Sequence, residues 1–86
     1  MSADYLDKKV KLLLNHVEFE MTYGEIIENW SEVTEKSGWH GTGGDYRHIA
    51  NVIHDLFTQA CAHGPGRWYS DYVPYSVPPV AIKLMA

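Results

Sequence analysis

Seven side chains in the second half of the chain are of types that read nucleic acid. Arg47, Asn51, His54 and Thr58 recur at i, i+4, i+7 and i+11, so a helix over this stretch would show them as one polar stripe, with His48 as a further donor. An arginine matches guanine or phosphate, an asparagine matches adenine, and histidines donate to either. Arg67 and Tyr69, at the start of a β-rich tail, suit contacts to a phosphate backbone. Charge bears on this reading in two ways. Residues 1–37 hold four lysines against eight carboxylates, whereas residues 38–86 hold three cations against three carboxylates and four of the five histidines. The whole formal charge of −4 therefore sits in the first half. A polyanion would meet the second half, more so below about pH 6.5, where histidines protonate. Against this, nucleic-acid affinity comes largely from neutralised phosphates. Two arginines near the proposed surface imply weak, salt-sensitive binding by a monomer.

Other chemistries find less support. His40 and His48 flank Asp45, and His54 adjoins Asp55, but no H-E-x-x-H or comparable ligand spacing occurs. Cys61 is the single cysteine, which excludes an internal disulfide and a cysteine-cluster zinc site. It lies seven residues after His54, on the edge of an apolar stripe where a thiol is inert. The glycine-rich stretch Gly38-Trp39-His40-Gly41-Thr42-Gly43-Gly44 lacks a P-loop lysine, and no G-x-G-x-x-G follows a strand. No Ser-His-Asp set or paired catalytic carboxylates stand out. The expectation is a non-enzymatic chain with no metal and no cofactor.

The elements that would position these residues follow from periodicity. Leu6, Val10, Leu13, Leu14 and Val17 fit one face of a helix over residues 3–16, with Ser2 as its N-cap. Val17, Phe19 and Met21 alternate with Glu18 and Glu20 as a short strand. Thr22-Tyr23-Gly24-Glu25 fits a capping box, with Met21 and Ile26 placed as a hydrophobic staple, and opens a second helix carrying Ile26, Ile27, Trp30 and Val33. That helix ends near Trp30 or by Gly38, with a break near residues 30–31. Residues 38–44 read as a loop. Residues 45–63 form a third helix through Ile49, Ile53, Leu56, Phe57 and Ala60, stopped by Gly64-Pro65-Gly66. The tail from Arg67 to Met85 reads as strand, proline-bearing turn over residues 74–79, and strand.

Helix, strand, helix, loop, helix and hairpin is the element order of a winged helix-turn-helix domain. The predicted fold is thus mostly α with a small β-hairpin: three helices, the third for recognition, and residues 67–85 as the wing. Met21-Thr22-Tyr23-Gly24-Glu25-Ile26 resembles the TYGE(I/L) helix start of small winged-helix-like bacterial domains and of the DNA-binding domain of the alkyltransferase-like DNA repair family. The likeness extends loosely through Cys61-Ala62-His63-Gly64 to Val80-Ala81-Ile82-Lys83, about 65 residues in all. The resemblance implies duplex DNA as partner. It does not carry alkyl transfer, because Cys61 stands in Gln59-Ala60-Cys61-Ala62 and not in Pro-Cys-His-Arg.

A second reading uses the same scaffold as a protein-interaction module. Three tryptophans and six tyrosines are many for 86 residues, and Trp68, Tyr69, Tyr72 and Tyr75 crowd the tail. An acidic domain with an aromatic edge could form a homodimer or take a protein partner through residues 67–86, or fill a partner's basic groove as a phage-type inhibitor does. With 45% apolar and 21% charged residues the chain has a globular balance, and residues 1–86 form one small domain. No apolar run is long enough to span a membrane and Met1–Lys9 has no apolar signal core, so the expected setting is cytoplasmic.

Overall fold

A computed structural model describes residues 4–41, 43–71 and 79–85. The expected first helix is not there. A single 3-10 turn, Asp4–Asp7, leads into strand β1, Lys9–Leu14, which turns back as strand β2, Val17–Thr22. Three consecutive leucines, Leu12 to Leu14, supply an apolar residue to almost any period, so the sequence satisfies a helical count and an alternating one together. Alternation wins: Val10, Leu12 and Leu14 are fully buried, while Leu13, which the helical period needs in the core, is half-buried. The turn explains why. Asn15 and His16 have φ of 54° and 70°. Two positive-φ residues between paired Leu14 and Val17 make the two-residue hairpin loop whose twist matches that of the strands. Asn and His are among the side chains that tolerate this region best. Asn15 Nδ2 also donates to the carbonyl of Ser37, 3.0 Å away.

The capping box forms as the sequence predicts. Glu25 N–H donates to Thr22 Oγ1 at 3.1 Å, and Thr22 N–H donates to Glu25 Oε1 at 2.8 Å. It opens helix α1, Tyr23–Glu28, and a break at Asn29 leads into helix α2, Trp30–Lys36. Gly38, at φ 77°, takes the left-handed position after α2 and donates to Glu35 O. Helix α3, Gly43–His63, follows, then strands β3, Trp68–Asp71, and β4, Val80–Leu84.

The four strands form one antiparallel sheet in the order β2-β1-β4-β3. This corrects the predicted winged helix-turn-helix. The tail does pair as a ribbon, with Trp68 opposite Lys83 and Asp71 opposite Val80. However, β4 also pairs with β1, Leu12 opposite Ile82, so the ribbon is half of a continuous sheet and not a projecting wing. The domain is α+β. Its core lies between one sheet face, built from Val10, Leu12, Leu14, Val80, Ile82 and Leu84, and the stripe Ile49, Ile53, Leu56, Phe57 and Ala60 of α3. Each such aliphatic side chain contributes about 1.5–3 kcal/mol by leaving water.

The other sheet face carries Lys9, Lys11, Leu13, Lys83 and Trp68, with Glu18 and Glu20 on β2. Lys11 pairs with Glu18 at 3.6 Å, and the Lys83 ammonium sits 5.1 Å from the centre of the Trp68 ring. Ser2, Tyr72, Tyr75 and the turn up to Pro78 lie outside the described residues.

Candidate functional site

The residues expected to read nucleic acid fall into two groups. Arg47, His48, Asn51 and His54 are all exposed on α3, on the side turned away from the sheet. Arg67 and Tyr69 stand past the other end of that helix. The Arg67 guanidinium lies 5.6 Å from the centre of the Tyr69 ring, and His63 stacks on the same ring at 6.0 Å. At 1.5 Å per residue, the ends marked by Arg47 and His63 are about 24 Å apart along the helix axis. The six residues do not converge on one surface. The Tyr69 hydroxyl is buried without a hydrogen-bond partner among the described residues.

His54 is tied to the body of the domain. Its Nδ1 is 2.9 Å from the Tyr23 hydroxyl, and the Tyr23 ring stacks flat on Phe57, 4.0 Å between centres. When the imidazole carries its proton on Nε2, the tyrosine hydroxyl donates to Nδ1. Burial, reinforced by the neighbouring Tyr5 and Cys61, raises the Tyr23 phenol above its ordinary value of 10.0. Cys61 is half-buried, and burial raises its thiol too, against a smaller opposing effect of Lys8. A thiol held protonated is a poor nucleophile. Among the described residues, no three His, Cys, Asp or Glu side chains come together as a metal site. No helix among them is long and apolar enough to cross a membrane.

A different surface gathers the features of a binding site. Helix α1 is short and places two isoleucines in succession. Neighbours on a helix point about 100° apart, and here they divide: Ile26 is 2% exposed and Ile27 is 53% exposed. Ile27 stands as a ridge between two depressions. On one side lies a cleft of about 470 Å³ lined by Asp7, Glu25 and Glu28 together with Leu6, Gly24 and Ile27 itself. Gly24 lets α1 approach the Asp4–Asp7 turn closely: a Cβ there would stand 3.0 Å from the Leu6 carbonyl oxygen. On the other side, α1 and α3 enclose an apolar groove of about 180 Å³ lined by Tyr23, Ile26, Ile27, Trp30, Ala50 and Ile53. Trp30 continues the surface into a third depression with Ser31, Thr34, Glu35, His40 and Tyr46.

The charge of this face is one-sided. Glu25, Glu28, Glu32 and Glu35 are all exposed on α1 and α2, against Lys36 alone. Lys36 is occupied by Glu32 at 2.9 Å, and this hydrogen bond and charge hold the Glu32 carboxyl below its ordinary value. Glu25 caps α1 through Oε1, and Asp7, Glu25, Glu28 and Glu35 stand around the apolar centre.

Sequence reasoning placed Ile27 on the buried stripe, gave Glu25 only its capping role, and assigned the acidic charge to no particular surface. The available signal was the adjacent Ile26-Ile27 pair just before the break near residue 30. Comparison with protein-family models, curated proteins and solved structures found no match.

Proposed function

We propose that this domain is a protein-interaction module that docks a partner segment on the α1–α2 face, with Ile27 at the centre of the contact. The observation that carries the reading is the exposure of Ile27, 53%, directly between an apolar groove and a carboxylate-lined cleft. Binding surfaces join an apolar anchor to a polar rim, and Trp and Tyr are favoured among their strongest contributors. Trp30 and Tyr23 line the groove that would receive the anchor. The carboxylates disfavour phosphate-rich partners at this face.

The test is a photo-crosslinking amino acid at position 27, compared with the same residue at position 20 on exposed β2, in extracts of cells that express the protein. A discrete adduct at position 27, absent at position 20 and competed by excess wild type but not by Ile27→Gln, supports the reading. Identical adduct patterns at the two positions, or none at position 27, contradict it. Ile27→Gln is expected to weaken partner binding about thirtyfold, the equivalent of a 2 kcal/mol hot spot.

Nucleic-acid binding is the second reading, favoured by the exposure of Arg47, His48, Asn51 and His54 on one helix. It predicts duplex binding that strengthens from pH 8 to pH 6 and falls steeply with salt. Absence of binding at about 50 mM salt removes it for the isolated chain.

A further inference from the structure

The charge around Ile27 narrows the class of partner, an inference that rests on the docking reading above. The apolar groove and the carboxylate cleft share Ile27 as their common wall. A segment seated on the ridge therefore meets both depressions at once, with neighbouring side chains on either side of Ile27. The groove can reward only an apolar side chain, since its lining is Tyr23, Ile26, Ile27, Trp30, Ala50 and Ile53. The cleft presents Asp7, Glu25 and Glu28. Among the described residues no ion pair reaches Asp7, Glu25 or Glu28, and Lys36, the one cation on α1 and α2, is held by Glu32. A partner carboxylate or phosphate placed there would be repelled, whereas the aliphatic stem of a lysine or arginine can lie along Leu6 and Ile27 with its charge among the carboxylates.

We infer that the partner is a protein segment in which one bulky apolar side chain stands within a helical turn of a lysine or arginine. The apolar side chain enters the groove between α1 and α3. The cation enters the cleft and sits among the three carboxylates. Such a contact is strongest at low ionic strength, because exposed pairs are screened by salt. A second copy of this chain does not meet the requirement at its own α1–α2 face, where like charges would oppose one another.

A phage-displayed library of random twelve-residue peptides, selected on the whole folded protein, tests this. The expected clones pair Leu, Ile, Phe or Trp with a nearby Lys or Arg. They lose about thirtyfold in affinity on Ile27→Gln and about tenfold on the double variant Asp7→Asn, Glu28→Gln, and the second loss shrinks below about threefold in 0.5 M salt. Circular dichroism of each variant confirms that the fold is retained. Clones that depend on Ile27 but carry no excess of basic residues, or that ignore the double variant, overturn this inference and leave the docking reading standing. Clones that bind wild type and Ile27→Gln equally overturn both.

Discussion

Single side chains set the start of α1 and the join between α1 and α3. Thr22 supplies the cap and Glu25 returns it, and each satisfies a backbone donor that has no partner within the helix. Thr22→Ala is expected to lower stability by about 1 kcal/mol, read as a fall in the denaturant midpoint at unchanged slope; an unchanged midpoint would mean the cap contributes nothing. The Tyr23 hydroxyl joins the two helices through His54. Its loss in Tyr23→Phe is expected to cost about 1 kcal/mol at neutral pH. The alkaline limb gives an independent check. Because the folded state raises this phenol, it holds the proton more tightly than the unfolded chain does. The associated stability is complete below pH 10 and is lost as pH rises through the raised value. The wild-type advantage over Tyr23→Phe should therefore shrink above pH 10; a constant difference across that range would show that the buried phenol does not titrate as described.

At the scale of elements, periodicity read well where only one period fits. The strand at Val17–Thr22, the cap at Thr22, the break near residue 30, the long helix ending at His63 and the pairing of the two tail strands all follow from local signals in the sequence. Residues 9–14 were illegible for a definite reason. The run Leu12-Leu13-Leu14 is apolar at every phase, and the turn that would have betrayed the hairpin is Asn15-His16, without the glycine that usually marks it. Misreading that one element changed the architecture, because β1 is the strand that joins β2 to the tail ribbon. The two readings differ in a measurable way. Leu12, fully buried at the centre of the sheet, should cost about 2–5 kcal/mol on replacement by alanine, and half-buried Leu13 clearly less. Equal losses, or a larger loss at Leu13, would contradict the strand. The site was less legible than the fold. Ile27 is 53% exposed beside buried Ile26, and which of two adjacent isoleucines meets the core is set by tertiary packing that no local pattern records.

At the scale of the whole molecule, α3 and the sheet form a scaffold whose long axis, 31 Å, is about the length of the helix itself. One sheet face is spent on the core. The short helices α1 and α2 are presented outward with their carboxylates and one unburied isoleucine. Under the proposed docking, the carboxylates of α1 and α2 serve as part of a recognition surface, whereas the composition suggested an obstacle to nucleic-acid binding or an acidic body for a partner's basic groove. The most direct measurement is a charge-swap cycle with a selected cationic peptide: binding constants for wild type and Glu28→Lys, each against the peptide and its Lys→Glu counterpart. The account predicts that either single reversal weakens binding about tenfold and that the double reversal recovers most of the loss. If the two reversals instead add independently, with no recovery in the double reversal, the carboxylates beside Ile27 are not where the partner binds.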